Sequence, residues 1–96
     1  MNYHQGDIIL IRIDKIPEEA KKIRDEVVAF GEVTGHSHRI SKAEIFGLER
    51  KEFVRVLKAN PMTHNTHPST PAVEVGDYER LRQHEYFPEG EIEVKD

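Results

Sequence analysis

Along the chain the hydrophobic positions come in short bursts parted by polar turns, and within the bursts apolar and polar residues tend to alternate, the period of a strand with one buried face. The first burst, Ile8-Ile9-Leu10-Ile11-Arg12-Ile13-Asp14, follows Gly6-Asp7. It is apolar on both faces at first and alternates at its end, which predicts a turn feeding a central strand. Residues 17–23 break the pattern. Pro17 stands where a first helical residue would, Glu18 and Glu19 follow it, and Lys21 and Lys22 come later, the charge order that suits a helix dipole. A helix of at most about two turns is expected there. A second strand is expected over residues 26–34, with Gly31 marking a bulge or a close approach of another backbone. Residues 43–49 and 52–58 read as the arms of a hairpin turning at Arg50-Lys51, and Asn60-Pro61 ends the second arm. Residues 62–71 are polar and proline-punctuated, hence a loop. Residues 72–75, 78–86 and 91–96 read as further strands, with turns at Gly76-Asp77 and residues 87–90. The pattern predicts an all-β fold, a small barrel or sandwich of roughly six to eight short strands with one short helix near the N-terminus.

Composition supports the strands: nine Ile and eight Val stand against four Leu, and branched side chains suit a pleated surface. The 96 residues make one domain, 1–96. A chain of this size buries only about 60–70% of the surface that its unfolded form exposes, so a bound metal or a second copy would add noticeably to its stability. Exposed strand edges and so small a core suit a homodimer. A net charge of −4 withholds the general electrostatic grip that nucleic acid or an anionic membrane would need. The absence of cysteine removes disulfides, thiolate metal sites and thiol nucleophiles together. The N-terminal residues carry no basic region, and the apolar run from Ile8 to Ile11 is far too short for a signal or a span. A soluble, cytoplasmic protein with no membrane partner is the expectation.

Histidine placement adds the chemistry. Four of the six histidines fall into two clusters, Gly35-His36-Ser37-His38 and His64-Asn65-Thr66-His67. On a strand, residues two apart share a face, so His36 and His38 can point into one site, with Gly35 permitting a tight approach. The spacing of His64 and His67 does not suit a strand, but a loop bounded by Pro61 and Pro68 can curl to converge them. Together His36, His38, His64 and His67 make a candidate site for one divalent transition metal such as Zn, Fe, Ni or Mn. Four neutral ligands leave the ion its full charge, which favours an open position for water, hydroxide or an anionic small molecule. His84 and Glu44 are further candidates, His4 reads as a surface residue, and Ser37 has no triad around it.

The glycine before H-x-H on a strand, and the later histidine behind Asn60-Pro61, resemble the cupin superfamily over about residues 31–67. The resemblance implies a small β-barrel holding a metal, with His36 and His38 as the first-motif pair, Glu44 as the acid and His64 as the second-motif histidine. A different small β-fold carrying a four-histidine site is the competing reading. Functionally, a cupin-like metalloenzyme leads. The alternatives are a metal-free hydrolase or nuclease-like pocket using His36 and His64 as acid and base, and a non-catalytic interaction module using Arg39, Arg55, Lys58, Arg80 and Arg82.

Overall fold

The computed structural model describes residues 2–31 and 33–83. Gly6-Asp7 is the two-residue turn of a hairpin between β1 (Asn2–Gln5) and β2 (Ile8–Ile13), with Gln5 opposite Ile8. Gly6 has φ 59°, the positive value that the first central residue of a type II′ turn requires. Strand β1 is absent from the sequence reading. Its residues alternate exposed and buried, but the inward pair is Tyr3 and Gln5, so half of the signal is polar.

The helix expected over residues 17–23 is not formed. One turn closes where the Ala20 N–H donates to the Pro17 carbonyl at 3.0 Å, and β3 (Lys21–Phe30) then begins. A helix this short cannot stand without tertiary packing, and its one bulky apolar residue, Ile23, is exposed. A ladder with β4 (Ser37–Leu48) satisfies the backbone instead. The charges that suggested a helix dipole are used across and along the strand, where Lys22 meets Asp25 at 2.8 Å and Glu44 at 3.3 Å.

The predicted hairpin is present as β4 and β5 (Lys51–Val56), with Leu48 opposite Lys51 and the turn at Glu49-Arg50, one residue earlier than expected. Residues 62–64 are not loop. They belong to β6 (Asn60–His64), which pairs with the first half of β4 in the register His38↔His64, Arg39↔Thr63 and Ile40↔Met62. Two strands complete the described chain, β7 (Ala72–Val73) and β8 (Gly76–Arg82). The sheet runs β1-β2-β8-β5-β4-β6-β7 and curls into a nearly closed barrel, while β3 lies on the other edge of β4. The expected final strand over residues 91–96 and His84 lie outside the described residues.

One bend organises this topology. Lys42 sits at φ 61°, and its carbonyl accepts from the Leu57 N–H at 2.8 Å, where β5 gives way to β6. Before Lys42 the even positions His38 and Ile40 are buried; after it the odd positions Ala43 and Ile45 are. The second half of β4 therefore faces a core of Ile8, Leu10, Val54, Val56 and Tyr78. Its first half turns His38 inward beneath that core. No helix among the described residues is long and apolar enough to cross a membrane.

Candidate functional site

The two histidine clusters meet because β4 and β6 pair. His38 and His64 are direct cross-strand partners, with ring centroids 4.4 Å apart. His36 precedes His38 by two residues and stands on the same face, its ring 5.4 Å from that of His64. The turn before it is tight: the His36 N–H donates to the Val33 carbonyl at 3.0 Å, and Gly35 takes φ 87°. A β-carbon is rarely tolerated in that backbone conformation. His67 lies on the loop after β6, with its ring 4.5 Å from His64 and 6.3 Å from His38. That loop is tied back to β4, since the Ser37 N–H donates to Asn65 Oδ1 at 2.9 Å.

All four sequence-predicted histidines thus come together. A metal about 2.1 Å from an imidazole nitrogen lies roughly 3.2 Å from the ring centroid, so rings sharing one ion at angles of about 90–150° stand about 4.5–6.2 Å apart. Four of the six ring pairs, three of them involving His64, have spacings of 4.4–6.3 Å, close to this range. Even so, no group of three or more His, Asp or Glu side chains among the described residues is arranged to hold a metal ion. The cluster is an open gathering of donors.

Hydrogen bonds assign their tautomers. His38 is fully buried, and its Nδ1 lies 2.9 Å from Gln5 Oε1. The Gln5 amide nitrogen already donates to the carbonyls of Met62 and Pro68, both at 2.9 Å, so Oε1 is an acceptor and His38 carries its proton on Nδ1. His38 Nε2 then presents a lone pair. This is the arrangement by which an outer hydrogen bond orients a metal-binding imidazole. His64 is set the opposite way: its Nδ1 accepts from the backbone N–H of Thr66 at 3.0 Å and of His67 at 3.2 Å, which leaves the proton of the neutral ring on Nε2. His36 Nδ1, His38 Nε2 and His67 Nε2 are buried and have no hydrogen-bond partner.

Beneath His38 lies a buried carboxylate that the sequence reading did not single out. Asp7, at the tip of the first hairpin, is fully buried. Its Oδ2 accepts from Arg82 Nη1 at 2.8 Å, and its Oδ1 lies 4.0 Å from His38 Nε2. Arg82 also donates from Nη2 to the Phe30 carbonyl at 2.9 Å, bracing β8 against the end of β3. Gln5 and Asp7 escaped notice for one reason: both read as ordinary residues flanking a turn, and the only signal was a polar pair beside a strongly apolar strand. The remaining candidates stand apart from the cluster. Glu44 faces outward and meets Lys22, because the bend at Lys42 reverses the facing of β4. His4 is exposed on β1. Arg39 is exposed, with its Nε donating to Ser37 Oγ at 3.2 Å.

Two depressions flank the cluster. An open cleft of about 600 Å³ is lined by Tyr3, His4, Gln5, His67, Pro68 and Glu74 among others. A smaller polar groove of about 370 Å³ is formed by Gly35, Ser37, Arg39, Thr63, His64 and Asn65.

Burial pushes His38 down from 6.5 to about 4, helped by its proximity to His64 and opposed by the Asp7 carboxylate. The sign follows from linkage. Between those values the unfolded chain binds a proton that the folded protein refuses, so the metal-free protein keeps its full stability above about pH 6.5 and loses it as pH falls toward 4. The loss attributable to His38 amounts to about 3 kcal/mol. Urea unfolding of metal-free protein across this range, compared with His38→Gln, is expected to show a shallower pH dependence in the variant. Equal slopes would remove His38 as the cause.

The fold and site together define a small all-β barrel with a histidine cluster at one end. The chain belongs to a family described as a domain of unknown function (DUF8820), whose model matches residues 4–83. That span contains both histidine clusters, Asp7 and Arg82. No curated protein matches the chain, and no solved structure does.

Proposed function

We propose that this barrel is a metal-binding domain that holds one divalent transition metal within the cluster of His36, His38, His64 and His67. The observation that carries the reading is the set of three buried, partnerless ring nitrogens on His36, His38 and His67, one of them oriented by Gln5. Burying a lone pair with no partner costs free energy, and a cation in the cluster would offset that cost. Imidazoles select Zn, Fe, Ni or Cu over Mg or Ca, and a ligand set this poor in charge leaves the ion a strong Lewis acid. A small anionic molecule would reach it through the cleft beside His67 or the groove that carries Arg39. A cupin-like metalloenzyme is the activity class that this reading favours.

The test is elemental analysis of protein purified without an affinity tag. About one equivalent of a transition metal is expected, falling sharply in His36→Ala. Protein that neither retains such a metal nor takes one up on titration would defeat the reading. A metal-free histidine pocket is the second reading, and it is favoured because no group of three or more His, Asp or Glu among the described residues is arranged to hold a metal ion. It predicts anion binding that survives chelation and strengthens as the imidazoles protonate, whereas metal binding weakens over the same pH range.

A further inference from the structure

Strand β1 ends the sheet, and among the described residues no strand pairs with its outer side. Which of its backbone groups face outward follows from the ladder beside it. The Gln83 N–H donates to the Asp7 carbonyl at 2.7 Å, which extends the pairing of β2 with β8, where Ile8 stands opposite Arg82. Bonding alternates along an antiparallel ladder. Asp7, Ile9 and Ile11 therefore bond toward β8, while Ile8 and Leu10 bond toward their partners Gln5 and Tyr3 on β1. His4 and Asn2 are left with their N–H and carbonyl groups directed away from the sheet.

The open cleft of about 600 Å³ lies along this edge. Residues 2–6 line it without a gap. A strand that met a cleft with one face would supply alternate residues, so the edge of β1 borders it. The opposite wall is residues 67–72 with Glu74. Two buried side chains of β1 span the opening on its barrel side. Gln5 Nε2 donates to the Pro68 carbonyl at 2.9 Å, and the Tyr3 hydroxyl accepts from the Glu74 N–H at 3.2 Å. Side chains thus join two segments where neighbouring strands would be joined by backbone, and a slot remains above them.

We infer that this slot binds an extended segment of another protein, which adds to β1 as a strand and brings a lysine or arginine side chain to Glu74. In such strand addition the backbone bonds, here to His4 and Asn2, supply affinity, and the side chains supply specificity. Charge selects the occupant. Glu74 is exposed and, among the described residues, is the one acidic or Lys/Arg side chain of the lining. The chain's own residues 84–96 hold five acids and one lysine, and a second copy brings the same net charge of −4. Both are repelled where a basic segment is attracted. The inference stands apart from the metal reading, since neither His4 nor Glu74 belongs to the histidine cluster.

Fluorescence anisotropy with full-length protein tests this, using the capped, labelled peptide Thr-Val-Lys-Val-Lys-Thr as probe. Saturable binding is expected, about tenfold weaker when glutamate replaces the lysines. Two further probes carry N-methyl groups on alternate backbone nitrogens, one on the odd set and one on the even. One of them is expected to lose binding, because a single set of amides faces β1. His4→Pro removes an outward N–H at an edge position, where proline is tolerated, and is expected to weaken binding about tenfold. Glu74→Lys is expected to reverse the preference between the lysine and glutamate probes. Absence of saturable binding overturns the inference, as does binding that His4→Pro and both N-methylated probes leave unchanged. It is also overturned if a peptide of residues 84–96 binds more tightly than the lysine probe, or if wild-type protein is a dimer that His4→Pro makes monomeric. Should His4→Pro not fold, the N-methylated probes decide on wild-type protein.

Discussion

Replacing His38 with alanine is expected to abolish stoichiometric metal binding, while replacing His4, exposed on β1, leaves the metal content unchanged. His38 is the hub of the site: fully buried, opposite His64 in the ladder, oriented by Gln5, and facing Asp7. Loss of an outer-shell partner typically weakens metal binding about 10–100-fold, and loss of a ligand exceeds that. The same change leaves Gln5 Oε1 without its donor and opens a polar cavity, for a destabilisation of the metal-free protein of about 1–3 kcal/mol. Metal analysis of the two variants side by side, with urea unfolding of each, checks both parts. Equal metal retention in His38→Ala and wild-type would exclude this histidine from the centre.

Gln5→Met is expected to produce a large loss of stability, with a loss of metal affinity beside it. One amide makes three hydrogen bonds: it orients His38, and it holds the carbonyls of Met62 on β6 and Pro68 on the loop bearing His67. Methionine keeps the length and volume and deletes all three. The buried N–H of His38 is left without a partner, at about 1–3 kcal/mol, while the Met62 carbonyl loses one of two donors and keeps the Thr70 N–H at 3.0 Å. The Pro68 carbonyl, on an exposed residue, recovers water and contributes less. A total of about 2–4 kcal/mol follows. The affinity loss for the metal is expected to be about 10–100-fold. A variant as stable as wild-type in urea would show that these bonds have no net worth.

The strands whose apolar positions are dense were legible in the sequence. Ile8 to Ile13 and the arms on either side of Glu49-Arg50 lie where alternation and turn residues put them. Legibility failed where polar residues face inward. Strand β1 buries Gln5, and β6 ends on His64, so neither carries the period that marks a strand. Residues 17–23 misled for the converse reason: their charge order is good for a helix, but the sheet edge of β4 offers more hydrogen bonds than a two-turn helix can make. At the site, the histidines could be named because imidazoles are rare and were paired. Their companion Asp7 could not, because aspartate beside glycine is the commonest of turn signals. Glu44 shows the limit most clearly. Counting by twos from His38 puts it on the inner face, and the structure puts it outside, because one left-handed residue intervenes.

That residue, Lys42, makes β4 a strand with two phases. Chain length in this stretch is consequently quantised. Removing one position between His38 and Ile45 would exchange core and solvent faces over all that follows, presenting Glu44 and Phe46 to the interior in place of Ala43 and Ile45, whereas adding or removing two keeps the facing. The loop between His64 and Ala72 has no such parity to keep. Related chains built on this barrel are therefore expected to vary freely in the length of that loop while the distance from His38 to Ile45 changes, if at all, by even steps.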